Sequence, residues 1–207
     1  AKDEVLIGGF SLLNNWMIRS ETVNALPKLF VRHLINDKEE ELIFSKEKVY
    51  SPSVTLKQKD RNTDNIFISY ESPKTPERVY SYNLKSKKKK FVKEQEIPSG
   101  HNRNNYIVER LECCSHDGRK VPLTITRHKN SKLDGSSHIL LYGYGSYGNS
   151  MGSAFSTTKL SLVNRNIIWV TAHIRGGMER GMKWWKEGKM LNKKNSFEDY
   201  IAVANYL

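Results

Sequence analysis

Ile139-Leu140-Leu141-Tyr142-Gly143-Tyr144-Gly145-Ser146-Tyr147-Gly148 and, further on, Asn166-Ile167-Ile168-Trp169-Val170-Thr171-Ala172 decide the fold. Both stretches contain a short, nearly all-apolar run, the pattern of a strand meant to be covered on both faces, as in a parallel sheet. Between them, 153–162 reads as a helix, and a second helix runs from Ser196 through Tyr200 to Leu207. Ser196 is the expected N-cap of that helix, with Asp199 three positions on as in a capping box and Glu198 adding charge to the first turn. Strand, helix, strand and helix at this spacing predict an α/β unit. Just ahead of it, strands at 106–112 and 121–127 are joined by His116-Asp117-Gly118-Arg119, a predicted hairpin.

Upstream the texture differs. Candidate strands at 12–19, 28–34, 41–44, 54–56, 65–70, 79–83 and 90–94 recur about every ten residues, punctuated by Pro27, Pro52, Pro73 and Pro76. That pattern suits an antiparallel sandwich or the blades of a propeller, and no clean internal repeat separates the two. Ile97-Pro98-Ser99-Gly100 and the polar run 101–105 read as a linker. The predicted division is therefore 1–104 and 105–207.

The chain has 207 residues, 38% hydrophobic, with a formal net charge of +12. The charge suggests nucleic acid at first, but Lys and Arg are spread along the whole length. The one dense block, Lys85 to Lys90, lies between two strands and reads as a solvated hairpin turn. Without an arginine-rich arm or an aromatic RNA-binding pattern, a basic nucleic-acid-binding domain is the weaker alternative. Cys113 and Cys114 are adjacent, which disfavours a disulfide, and no Cys/His spacing suggests a metal. No apolar run approaches the roughly 20 residues that span a bilayer. The default expectation is a cytoplasmic protein without membrane contact, and Trp184 and Trp185 read as packing residues.

Two motifs mislead. Gly143-Tyr144-Gly145-Ser146-Tyr147-Gly148 has the glycine spacing of a dinucleotide fingerprint. Such a site needs an acidic residue about 20 positions on to grip a ribose, and His173, Ile174 and Arg175 stand at the next strand end instead. Gly148-Asn149-Ser150-Met151-Gly152 has the spacing of a nucleophile elbow. An elbow requires its serine on the sharp turn directly after a strand, whereas Ser150 follows a long glycine loop. The later candidates His173 and Asp199 also come in the reverse of the Ser, Asp, His order. Neither a bound cofactor nor a serine nucleophile at Ser150 is expected.

Taken with His173-Ile174-Arg175-Gly176-Gly177-Met178-Glu179-Arg180-Gly181 and the following Trp185, Gly188, Lys189, Lys194, Asn195, Phe197 and Asp199, the glycine loop resembles the prolyl oligopeptidase family of serine peptidases. The form Tyr-Gly-Tyr-Gly-Ser-Tyr-Gly is most similar to its oligopeptidase B branch. Asn105-Tyr106-Ile107-Val108-Glu109-Arg110 and His116-Asp117-Gly118-Arg119-Lys120-Val121-Pro122 resemble the start of its hydrolase domain, and Ser72-Pro73-Lys74-Thr75-Pro76 its last propeller blade. The resemblance implies the C-terminal end of a β-propeller followed by the N-terminal part of an α/β-hydrolase fold. It implies hydrolysis of short peptides after Arg or Lys through an acyl-enzyme, without metal or cofactor.

Tyr144 matches the tyrosine whose hydroxyl completes the family's oxyanion hole. The chemistry agrees, since a fixed donor aimed at a developing oxyanion contributes ~3–4 kcal/mol. Tyr147 matches a pocket-lining aromatic. Arg175 and Glu179 belong to the next loop, either as an ion pair that shapes it or as substrate contacts. The family's elbow follows the helix that begins near Ser196, with its Asp and His later still. Both ends of the chain are therefore expected to be cuts, and these residues alone are expected to be inactive. A separately encoded C-terminal half is a candidate partner.

Overall fold

The computed structural model describes residues 4–56 and 61–207. Its first half is two consecutive antiparallel meanders. Strands β1 (Val5–Leu12), β2 (Trp16–Val23), β3 (Leu26–His33) and β4 (Glu39–Glu41) pair in chain order, and β5 (Ser51–Thr55), β6 (Asn65–Ser72), β7 (Thr75–Asn83) and β8 (Lys89–Glu94) repeat the arrangement. Successive four-stranded meanders are propeller blades, not the Greek-key sheets of a typical sandwich. Period-2 alternation drives the packing: Ile66, Ile68 and Tyr70 of β6 share one core with Ile18, Leu29 and Val31 of the first blade, and Leu42 and Phe44 complete it.

Several boundaries differ from those expected. The strand expected at 12–19 straddles the turn between β1 and β2, and β1, ahead of the expected strands, carries a bulge between Ile7 and Phe10, where Gly9 N–H donates to Ser20 Oγ at 2.8 Å. Pro27, Pro52 and Pro76 lie inside β3, β5 and β7. They sit near a strand start or on the edge strand β5, where a missing N–H is tolerated. The Lys85–Lys90 block does form the turn between β7 and β8.

The second half is one mixed sheet. Strands β9 (Tyr106–Cys114) and β10 (Lys120–His128) form the hairpin, and β11 (Ile139–Tyr142) lies parallel to β12 (Ile168–Ala172), in the order β11-β12-β10-β9. Helix α1 (Thr157–Val163) connects the parallel pair, and its cap is Ser156, whose Oγ accepts from Lys159 N–H. Helices α2 (Gly181–Lys186) and α3 (Lys194–Tyr206) follow. Val121, Leu123, Val170, Ala172, Trp184 and Val203 form the core. β11 is less covered than an interior strand, with Ile139 and Tyr142 exposed at its ends.

Two expectations about α3 are corrected. It starts at Lys194 with no side-chain cap, and Ser196 is buried inside its first turn. Ser196 does not cap the helix because its hydroxyl is drawn to the Arg175 carbonyl, at 2.6 Å. Asp199 likewise faces inward, toward Arg175.

Blades and mixed sheet touch at a two-residue turn. Asn24 and Ala25 between β2 and β3 both have positive φ (49° and 63°), a type I′ hairpin. Ala25 N–H donates to Glu179 O at 2.7 Å, and Arg110 of β9 donates to Asn24 O. Phe155 N–H donates to Glu71 Oε2 at 3.0 Å, a second link between the halves.

Candidate active site

The glycine loop 143–148 leaves β11 and lies directly on the loop after β12. Backbone meets backbone here: a Cβ on Gly176 would stand 1.9 Å from the Gly145 carbonyl oxygen, and one on Gly188 would stand 2.2 Å from Gly176 N. Gly176 also has φ +101°, so only glycine fits without strain. Gly148 N–H donates to Gly176 O at 2.9 Å, which ties the two loops together. Ser196 lies at their junction with the Gly188 turn. Its hydroxyl donates to Arg175 O at 2.6 Å, with the carbonyls of Gly188 and Gly145 at 3.2 and 3.4 Å. Lys193, one turn earlier, donates through Nζ to Gly145 O and to Ser146 Oγ.

From this frame Tyr144 and Tyr147 reach solvent, 41% and 85% exposed. Tyr147 adopts a left-handed backbone (φ 55°), an uncommon conformation for an aromatic residue. Gly143 packs against the Tyr200 ring, and Tyr200 donates to Leu141 O at 2.9 Å. The loop is therefore held from below by α3, while its tyrosines are free to meet a ligand.

Arg175 and Glu179 are placed differently. Both are buried, at 1% exposure, and they do not pair with each other. Arg175 grips Asp199 in bidentate fashion through Nε and Nη2 (2.9 and 2.6 Å) and reaches Asp117 through Nη1 at 2.5 Å. Ser115 donates to Asp199 Oδ1 at 2.6 Å. Burial by itself would lower the Arg175 pKa, but hydrogen bonds to Asp199 and Asp117 outweigh it and raise it. This pair bolts the loop after β12 to α3 and to the β9–β10 turn. The expected Arg175–Glu179 ion pair is thus replaced by Arg175–Asp199, because Asp199 rather than Glu179 faces the guanidinium.

Glu179 sits at the junction with the blades. Oε1 accepts from Met151 N–H at 3.0 Å, and Oε2 is buried with no hydrogen-bond partner among the described residues. Burial pushes its pKa up from 4.5 to about 7, although the nearby Arg110 charge opposes the rise.

Ser150 is half-buried, and its hydroxyl has no hydrogen-bond partner among the described groups. It lies in an irregular stretch, with α1 beginning only at Thr157. His173 is fully buried and shares a hydrogen bond with Thr124 Oγ1 at 3.0 Å; burial holds its pKa well below 6.5, so the ring is neutral. The two residues are not hydrogen-bonded to each other. Among the described residues no cluster of three His, Cys, Asp or Glu side chains is arranged for a metal, and no helix is long and apolar enough to cross a membrane. Sequence reasoning missed Lys193, whose local context, a run of lysines at a helix start, carries no signal of its contacts.

Two family models match the chain: "Prolyl oligopeptidase, N-terminal beta-propeller domain" over residues 1–95 and "Prolyl oligopeptidase family" over 153–207. Dipeptidyl aminopeptidase BI of Pseudoxanthomonas mexicana is 36% identical over 207 residues, covering 100% of this chain and 28% of that protein. Protease 2 of Moraxella lacunata is 34% identical over 184 residues, 89% of this chain and 26% of the relative. Oligopeptidase B from Trypanosoma brucei, solved in a closed form with covalently bound antipain, superposes with a TM-score of 0.89 at 31% identity, over 99% of this chain and 30% of that one. The Leishmania major oligopeptidase B gives 0.88 at 28% identity, over 100% and 30%. The chain thus spans less than a third of the length of these relatives.

Proposed function

The chain belongs to the prolyl oligopeptidase family, and on that premise we propose that its glycine loop is the oxyanion side of a serine oligopeptidase active site, with Tyr144 as the donor. The observation that carries this reading is a tyrosine exposed at 41% on a loop whose backbone is held by Lys193, Ser196 and Gly176. Attack of a serine on a peptide carbonyl moves negative charge onto the carbonyl oxygen. A donor that need not reorganise as that charge develops lowers the barrier. Tyr144 O–H supplies such a donor, and Tyr147 supplies an aromatic face for the substrate beside it. The buried Arg175 and Glu179 act through the shape of the loop. Hydrolysis uses no cofactor in this scheme.

The nucleophile, its base and their acid partner come from residues other than these. Ser150 and His173 lack the geometry for the task, so the 207 residues by themselves are expected to be inactive. They would act within a longer polypeptide or with a separately encoded C-terminal half. The substrates proposed are short peptides cleaved after Arg or Lys, supported by the likeness to oligopeptidase B structures. Release of dipeptides is a second reading, favoured by 36% identity to Dipeptidyl aminopeptidase BI over the whole chain. A peptide with one internal Arg, analysed by mass spectrometry, distinguishes the two by its products.

Tyr144→Phe tests the donor role in the polypeptide or complex that also holds the serine. We expect kcat to fall by roughly 10²–10³ with KM nearly unchanged, because the hydroxyl meets charge that exists mainly in the transition state. Full kcat in Tyr144→Phe together with a large loss in Tyr142→Phe would move the role to the other tyrosine.

A further inference from the structure

Lys193 violates two local rules. It stands at the N-terminal end of α3, where the helix dipole disfavours a cation. It is partly buried, and burial lowers its pKa with no carboxylate contributing to hold the charge. Its ammonium nonetheless lacks no partner. One N–H goes to Gly145 O, one to Ser146 Oγ at 2.8 Å, and Ser196 Oγ lies at 3.3 Å for the third. Two of these acceptors directly follow Tyr144 in the chain, and the third is the serine that joins the three loops. Side chains that break local rules without a packing gain are commonly found where function is served.

We propose that Lys193 is a positioning residue for the oxyanion site, fixing the Gly145–Ser146 peptide and thereby the direction of the Tyr144 hydroxyl. The inference rests on the oxyanion reading of Tyr144. Gly145 has φ +60° and packs closely against Ile174 and the Arg175 carbonyl, but it has no side chain through which to fix the orientation of its own carbonyl. The Lys193 ammonium supplies that constraint from the far side. A misplacement of about 1 Å at such a donor costs up to 10²-fold in rate.

The test is a double-mutant cycle in the polypeptide or complex that also holds the serine, with Tyr144→Phe and Lys193→Met. Methionine keeps the length and apolar stem of the lysine and removes its donors. We expect Lys193→Met to lower kcat at least about tenfold with KM unchanged. In the Tyr144→Phe background it should change kcat less than about twofold, since the group it positions is gone. Lys193→Gln, which keeps a neutral donor, should recover part of the loss. Should Lys193→Met fail to fold, Ser146→Ala removes one anchor point and reads the same coupling through a severalfold loss that vanishes with Tyr144→Phe. Full kcat in Tyr144→Phe would sink the oxyanion reading itself. A large Tyr144→Phe effect with undiminished kcat in Lys193→Met, or with a Lys193→Met loss that multiplies unchanged onto Tyr144→Phe, would overturn the positioning role alone.

Discussion

Neutralising Glu179 should remove a pH-dependent weakness at the junction between blades and hydrolase sheet. The carboxyl is buried, one oxygen bonded to Met151 N–H and the other without a partner among the described residues, and burial raises its pKa from 4.5 to about 7. A group whose folded pKa is raised stabilises fully below its unfolded pKa and loses that contribution as pH rises to the folded value. For Glu179 the loss falls between pH 4.5 and about 7. At about 1.4 kcal/mol for each tenfold change in proton affinity, it amounts to about 3 kcal/mol.

Glu179→Gln keeps the shape and the acceptor for Met151 while removing the charge. Urea denaturation of both proteins from pH 4.5 to 8 should give equal stabilities at the acid end and a variant more stable by about 3 kcal/mol above pH 7. Taking the difference matters because other groups titrate in the same range. Neutral, buried His173 has a lowered pKa, so its contribution is present above 6.5 and lost as pH falls, opposite in sign to Glu179. Arg110 faces Glu179 from β9, and although burial lowers its pKa to about 10, it stays charged across this range. Parallel pH profiles for wild type and Glu179→Gln would refute the argument, since the buried carboxyl would then be ionised at no cost.

Two further outcomes follow from the same frame. Arg175→Met leaves Asp199 buried at 0% exposure without its cation and should destabilise by roughly 3–5 kcal/mol in a urea titration; a loss under 1 kcal/mol would show the pair to be dispensable. Gly176→Ala drives a methyl into the Gly145 carbonyl and should both destabilise the protein and expose the loop to limited proteolysis between 143 and 148; an unchanged digestion pattern would contradict the close-packed loops.

How legible this was depends on the range of the forces involved. Strong periodicity was readable: β6 alternates buried and open residues along its length, and the parallel strands β11 and β12 follow from apolar runs. Boundaries were not, where long-range contacts override local preference. The expected strand at 12–19 straddles a turn, because the boundary is set by the pairing of β1 with β2 across the ladder. Ser196 reads as a cap by every local criterion. The Arg175 carbonyl, 21 positions away in the chain, takes its hydroxyl instead. The candidate site divides in the same way. Tyr144 is picked out by the resemblance of its glycine loop to a family motif, which is contiguous in the sequence. The partner of Arg175 is not: Glu179, four positions on, is the acid the sequence offers, and the fold brings Asp117 and Asp199 to the guanidinium instead.

That division explains why the supports of the site are harder to read than its working groups. A donor aimed at substrate must project from a short, glycine-rich turn, and such turns have a compositional signature. The groups that hold the turn act from α3, at the end of the chain segment that passes beneath it. Lys193, Ser196 and Asp199 lie within two turns of one helix and contact the glycine loop, the loop after β12 and Arg175 respectively. A helix that anchors three loops must turn polar groups inward, and its pattern then departs from the apolar stripe expected of a packed helix. Within 193–199, buried Ser196 and Asp199 and half-buried Lys193 face the loops, so the start of this helix does more than cover a sheet.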